Sequence, residues 1–194
     1  MIKIFIITER RADYSRFKPI LDLIVKDDLL DYVLVVTGAH LKKEMGYTKT
    51  EIIKDGFKIH YEIKMFNEKS DSGAVMVRAF AKVAEKVTYC IEDSNPDLIL
   101  AGFDIGANLA VTVAGAHMNI PVAHIQGGEV TGTIDESIRH AMSKFSHYHF
   151  ASNQDAVKRL IKLGEISDRI FNVGCPSIDA IINTKDDISI LNKY

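Results

Sequence analysis

The chain has no C-x-x-C pair. Its two cysteines, Cys90 and Cys175, stand far apart, so neither a zinc-binding nor a dithiol redox motif is present. Cys90 lies in an apolar, helix-like context, as expected of a buried reduced thiol in a cytoplasmic protein. Long apolar runs are missing too. Ile2, Ile4, Phe5, Ile6 and Ile7 open the chain, but Glu9, Arg10 and Arg11 end the run at once. That is too short for a signal-peptide core or a membrane span. Neither charge sign is in excess: 24 Lys and Arg against 26 Asp and Glu leave a net charge of −2. This gives no electrostatic case for nucleic acid or an anionic membrane surface. An anionic ligand would have to be held by local basic groups. No internal repeat or low-complexity segment occurs. The first strand-to-helix turn lacks G-x-G-x-x-G, which argues against a dinucleotide held on a glycine-rich turn.

What is present is an alternation of strands and helices. The 47% hydrophobic and 26% charged composition is that of an ordinary globular domain. Lys3 to Thr8, Tyr32 to Thr37, Phe57 to Ile63, Leu98 to Ala101, Ile120 to Ala123, His147 to Ser152 and Arg169 to Val173 read as strands. Between them, apolar residues recur at helical spacing. Phe17, Ile20, Leu21, Ile24 and Val25 mark one helix; Val75, Val77, Phe80, Val83, Ala84 and Val87 mark a long one from Ala74 to Asp93, ended by Asn95-Pro96. Met45 to Lys54 reads as a short helix, Ala107 to His117 as a small-residue helix packed close to a sheet, and Gln154 to Leu163 as another. Lys64 to Gly73 reads as a polar loop and the best candidate for a mobile segment. The alternation predicts a doubly wound, parallel α/β sheet of six or seven strands, Rossmann-like, over residues 1–173. Residues 174–194 read as a punctuating segment and a tail. The long helix has apolar positions enough for a core face and part of an interface between copies.

Parallel sheets place ligands at the carboxyl ends of their strands. Polar groups gather after several strands here. Glu9 to Arg16 (Glu-Arg-Arg-Ala-Asp-Tyr-Ser-Arg) sits on the first strand-to-helix turn, where arginines add to the partial positive charge of a helix start. His40 follows the second strand in a tight Gly38-Ala39-His40-Leu41 turn that is expected to expose it. Asp104 follows the fourth. The richest stretch is His124 to His140, with Gln126, Glu129, Asp135 and Arg139 around Gly127, Gly128 and Gly132. Arginines hold phosphate and a carboxylate takes or gives a proton, which suits an anionic substrate undergoing proton transfer. Each group has a plainer role open to it: a surface ion pair for Arg10 or Arg11, a helix cap for Asp104 or Asp135, a turn histidine for His40. No His, Cys or Asp spacing forms a metal motif.

Thr8-x-x-Arg11-Ala12-Asp13-Tyr14-Ser15, Thr37-Gly38-Ala39-His40-Leu41, the His124 to His140 stretch and Gly174-Cys175-Pro176-Ser177-Ile178-Asp179 occur in that order. Together they resemble the hydrolysing UDP-N-acetylglucosamine 2-epimerases of sialic and nonulosonic acid synthesis. The resemblance implies the amino-terminal half of a two-domain GT-B fold, with residues 174–194 a hinge-like segment and tail and the second domain absent. It implies a UDP-sugar substrate, removal of the C2 proton, elimination of UDP, and hydration to a 2-epimerised free sugar such as N-acetylmannosamine. It implies no metal or other cofactor, a cytoplasmic homo-oligomer (dimer or tetramer), and little activity for this half alone. Carried over by position, Asp104, Glu129, Asp135 and Gln126 fall at catalytic places. Arg11, Ser15, His40, His124, Arg139, His147 and His149 fall at substrate-binding ones. Two departures stand out. Ile105 occupies a place where an arginine is common, and Gln126 one where some relatives carry an acid; an amide is no general base at neutral pH. A diacetylbacillosamine-type epimerase, a GT-B glycosyltransferase half and a non-catalytic sugar-nucleotide-binding module are the alternatives.

Overall fold

The computed structural model describes residues 1–66 and 72–182. Seven strands form one sheet: β1 (Ile2–Thr8), β2 (Leu30–Thr37), β3 (Tyr61–Ile63), β4 (Leu98–Gly102), β5 (Val122–Ile125), β6 (Tyr148–Ala151) and β7 (Ile170–Asn172). Their order is β3-β2-β1-β4-β5-β6-β7, and every neighbouring pair is parallel. The helices are α1 (Arg11–Ile24), α2 (Lys49–Lys54), α3 (Gly73–Ser94), α4 (Gly106–His117), α5 (Ile134–Phe145), α6 (Gln154–Lys162) and α7 (Pro176–Ile182). The fold is a doubly wound, Rossmann-like α/β sheet.

Two cores follow from the two-residue period of the strands. Phe5, Ile7, Ile99, Ala101 and Val122 face one way, against α3 and α4. Ile4, Ile6, Leu100, Ala123 and Ile125 face the other, against Tyr14, Phe17, Leu21 and Ile24 of α1. Each fully buried Ile, Leu or Phe contributes about 1.5–3 kcal/mol. α4 lies close to the sheet because its inner face is small. A Cβ on Gly115 would come within 2.5 Å of Ile99 Cδ1 and 2.8 Å of Val122 Cγ2.

The structure shifts several expected boundaries. β5 begins at Val122 rather than Ile120, because the Ile120 N–H closes α4 on Gly115 O and Asn119 takes a left-handed turn (φ 57°). His124 therefore lies within the strand, not in the loop after it. The helix expected from Met45 starts only at Lys49, since Gly46 (φ 89°) and Tyr47 (φ 49°) break it. β3 is short, because the Phe57 N–H turns back to Ile52 O instead of pairing with β2. Val77, one of the apolar positions that mark α3, is 67% exposed. In the 174–194 segment, Pro176–Ile182 is helical and α7 packs on α1. Much of the polar loop singled out as mobile, residues 67–71, and the tail beyond 182 lie outside the described residues. Among the described residues no helix is long and apolar enough to cross a membrane.

Candidate functional site

β1 and β4 are neighbours, yet the helices that follow them pack on opposite faces of the sheet. The carboxyl edge opens between them, as doubly wound sheets do where the strand order reverses. Glu9 and Arg10 leave β1 at this opening, and Asp104 lies between β4 and α4. The preceding Phe103 has φ 71° and is buried, its ring set edge-on to Phe17 at 5.0 Å. A bulky residue in the left-handed region is strained; here packing holds it, and the chain turns sharply just before Asp104.

Asp104 is held between two guanidinium groups. Arg139 of α5, 3% exposed, donates to its Oδ2. Arg10 Nη2 stands 3.7 Å from its Oδ1. Arg139 also donates to the Glu129 carbonyl at 2.9 Å, so one buried side chain ties the glycine loop to the end of β4. Asp135, the second residue of α5, shares a cavity of about 440 Å³ with Glu9, Arg10 and Asp104. The other side chains of that cavity are apolar: Met76, Val77, Phe80, Ile105, Leu109, Ile134 and Ile138. The side chain of Asp135 makes no hydrogen bond or ion pair with the described residues. Neither aspartate is a helix cap: Thr133 caps α5 through its hydroxyl, and Ile105 stands at the N-cap of α4.

The glycine loop between β5 and α5 needs its glycines. Gly128 has φ 81°, and a Cβ there would meet Ala156 O at 2.4 Å. Arg159 donates to the Gly128 carbonyl at 3.1 Å. Glu136 accepts from the Thr131 and Gly132 N–H groups at 2.8 and 2.9 Å. Glu129 accepts from the Ser152 hydroxyl, outside the shared cavity. Gln126 (φ 59°) is 6% exposed. It accepts from Arg16 at 3.4 Å and donates to Cys175 Sγ at 3.1 Å, tying α1 to the segment that leads into α7.

Arg11 and Ser15 lie in a separate concavity with Tyr14, Lys18, Glu51 and Asp55. There the Tyr14 hydroxyl donates to Asp55 at 2.6 Å, and burial and that carboxylate push the phenol upward. Of the two adjacent arginines, Arg10 is the one that reaches the acidic cavity. His40 corrects an expectation: it is fully buried rather than exposed in its turn. Its ring nitrogens contact Thr8 Oγ1 at 3.0 Å and Thr48 Oγ1 at 2.6 Å, and burial lowers its pKa to about 4. His124 lies under α5, against Ser143 Oγ at 3.1 Å and the Phe103 carbonyl at 3.4 Å; burial takes it down to about 3. His149 is buried beside Glu165 at 3.2 Å, with burial lowering it and that carboxylate opposing. His147 is at the opposite, amino-terminal edge of the sheet, where its Nδ1 accepts from the Val122 N–H at 3.1 Å. Of the residues expected at a site, the structure thus brings Asp104, Asp135 and Arg139 together, and sets the four histidines within the fold or on its far edge.

Sequence reasoning placed Glu9 in the polar turn after the first strand and gave it no role of its own. It is 8% exposed and its Oε2 accepts from the Ala107 N–H at 3.1 Å. Burial raises its pKa, opposed by that N–H and by Arg10. Its position, first after a strand at the carboxyl edge, was the available signal. Next to it Asp13 accepts from the Glu9 and Arg10 N–H groups at 2.9 and 2.8 Å, and burial pushes it up to about 7. Among the described residues no group of three or more His, Cys, Asp or Glu is arranged to hold a metal ion. A larger cavity of about 1030 Å³ lies elsewhere, lined chiefly by apolar residues between α1, α7 and the sheet, and it contains none of these acidic groups.

The family described as UDP-N-acetylglucosamine 2-epimerase matches residues 23–193. The hydrolysing UDP-N,N'-diacetylbacillosamine 2-epimerase of Legionella pneumophila is 38% identical over 185 residues, 94% of this chain and 48% of that protein. The UDP-N-acetylglucosamine 2-epimerase of Neisseria meningitidis is 33% identical over 184 residues, 95% of this chain and 48% of that protein. A crystal structure of the UDP-GlcNAc 2-epimerase from Neisseria meningitidis bound to UDP-GlcNAc superposes with a TM-score of 0.83 at 21% identity, over 98% of this chain and 51% of that one. The chain spans about half the length of the relatives it matches.

Proposed function

Because this chain belongs to the UDP-N-acetylglucosamine 2-epimerase family, we propose that it is the amino-terminal half of a hydrolysing UDP-sugar 2-epimerase, with the sugar seated in the cavity that Asp104 and Asp135 share. The observation that carries this reading is that shared cavity, placed at the strand-order reversal with Arg10 on its rim. In the proposed reaction a carboxylate takes the C2 proton of the sugar. The C2–H electron pair becomes the C1=C2 bond as the C1–O bond breaks, and UDP leaves with that bond's electrons. Water oxygen then bonds to C1, and a proton is returned to C2 on the other face. The free 2-epimerised sugar departs. Arg10 and Arg139 hold Asp104 in place. The proposal includes a second, GT-B-type half to grip the nucleotide, low activity for this half alone, a cytoplasmic location and association between copies.

One observation favours a diacetylbacillosamine-type sugar over N-acetylglucosamine. Seven side chains of the cavity wall are apolar, a better match to a deoxygenated, doubly acylated ring than to one rich in hydroxyl groups. The Legionella relative is named for a sugar of this kind, UDP-N,N'-diacetylbacillosamine.

The test uses the full-length protein with UDP-N-acetylglucosamine and with UDP-N,N'-diacetylbacillosamine in D₂O, without acceptor. The expected products are UDP and a free, 2-epimerised sugar carrying deuterium at C2. No UDP release from either substrate overturns the reading. UDP release only on adding an acceptor would instead mark a glycosyltransferase. Substrate binding without turnover would mark a binding module.

A further inference from the structure

Epimerisation with hydration asks for proton transfer twice at C2, once from each face. Asp104 is badly placed for either transfer, because both its oxygens already face guanidinium groups. Asp135 is open to the cavity. A second open carboxyl group is needed, and Glu9 lines the same cavity. We infer that Glu9 is a catalytic residue of this site, the proton donor that completes the reaction begun by Asp135, while Asp104 serves as the ion-pair anchor. This deepens the function proposed above and rests on it.

The geometry of Glu9 is that of a fixed group. Its Oε2 is pinned by the Ala107 N–H in the first turn of α4, at 3.1 Å. Its Oε1 has no hydrogen-bond partner among the described residues. Gly38 closes off the side facing β2: a Cβ there would come within 2.4 Å of Glu9 Cγ, so only glycine lets the glutamate side chain lie where it does. Met65 Sδ closes the same space, 3.2 Å from that Cβ position. The carboxyl is thereby held with one oxygen on the helix and the other left for the cavity. Burial holds it toward the neutral acid, the form a donor must take.

Asp135 takes the C2 proton while the C1–O bond breaks and UDP leaves with the electron pair. The C1=C2 pair then takes the proton of Glu9 at C2 as water oxygen bonds to C1. The proton shed by that water returns to Glu9, and Asp135 gives its own to solvent.

The test is Glu9→Gln in the full-length protein, which keeps an oxygen for the Ala107 N–H. Glu9→Asp, whose shorter arm draws the carboxyl back, is read beside it. UDP and free sugar are quantified separately, and the unsaturated sugar is followed by the NMR signal of its C1–H. Expected for Glu9→Gln is UDP release within about tenfold of wild type with the unsaturated sugar accumulating, while free-sugar formation falls about 100-fold or more. Asp135→Asn is expected to lose UDP release itself. Glu9→Asp, which keeps an acid, is expected to form free sugar faster than Glu9→Gln. Free sugar formed at the wild-type rate by Glu9→Gln overturns the role of Glu9 and leaves the proposed function standing. A wild-type protein that releases no UDP overturns both.

Discussion

Arg139 offers the sharpest test of how the site is held. Its side chain is 4% exposed, and it joins Asp104, 14% exposed, to the Glu129 carbonyl. Arg139→Met removes the charge and keeps most of the volume. Deleting one member of a buried ion pair costs about 3–5 kcal/mol, because the other charge is left behind. Asp104 retains Arg10 at 3.7 Å and some access to water, which reduces that figure. The lost hydrogen bond to the Glu129 carbonyl adds about 1 kcal/mol. The expected loss is therefore about 3 kcal/mol, a large share of the stability of a domain this size. Asp104→Asn should cost less, since a guanidinium can still donate to the amide oxygen. Combining the two should recover at least about 1 kcal/mol relative to the sum of the single losses. Arg139→Lys should fall between wild type and Arg139→Met, because one ammonium cannot span both acceptors in the way a planar guanidinium does. Urea unfolding of the 194-residue chain, followed by circular dichroism, gives these values as midpoint shifts at unchanged slope. A loss below about 1 kcal/mol for Arg139→Met, or single losses that add to within about 0.5 kcal/mol, would refute the view that Arg139 is the clasp between β4 and the glycine loop.

Two further outcomes follow from backbone and burial. Gly128→Ala drives a Cβ into the Ala156 carbonyl at 2.4 Å, whereas at Gly132 nothing stands within 4 Å and only the positive φ of 70° opposes a side chain. Thermal unfolding should show a loss of about 3 kcal/mol or more for the first and about 1 kcal/mol for the second; equal losses would mean that strain alone governs the loop. His124 stays neutral in the fold down to about pH 3, while in the unfolded chain it binds a proton near pH 6.5. Between those values the unfolded state holds the extra proton, so stability falls as the pH drops. Relative to His124→Gln, the wild-type chain should lose up to about 1.4 kcal/mol per pH unit below 6.5. Asp13 and Glu9, whose raised pKa values tilt stability the other way, are common to both proteins and cancel. A wild-type-to-variant difference that stays constant from pH 7 to pH 4.5 would contradict a buried neutral His124.

Most of the architecture was legible because it rests on local pattern. Apolar runs such as Ile4 to Ile7 and Val33 to Val36 require cover on both faces, and helical spacing between them leaves a parallel sheet as the one arrangement that provides it. Asn95-Pro96 announced the end of α3, where Asn95 indeed takes a left-handed cap at φ 45°. The misplaced boundaries share a cause. Ile120 and Pro121 are apolar and adjoin β5, but whether an apolar residue pairs in the sheet depends on where its N–H goes, and here the Ile120 N–H closes the preceding helix. Propensity does not carry that information.

The site divides along the same line. The sequence alone determined that acidic and guanidinium groups follow several parallel strands, and so that they share one edge of the sheet, because strand direction and loop position are set by the order of the elements along the chain. It also determined the family, through the run from His124 to His140. Only the tertiary structure decided which of these groups meet. Arg10 rather than Arg11 reaches Asp104, since a turn from β-strand to helix points adjacent side chains in different directions. Asp104 is clasped while Asp135 stands open. Glu9, one letter at the end of an apolar run, becomes a buried carboxyl on the first turn of α4, 98 residues away in the chain. Burial, partner and direction are set by contacts between residues remote in sequence, and they decide which of several carboxyl groups is free to move a proton.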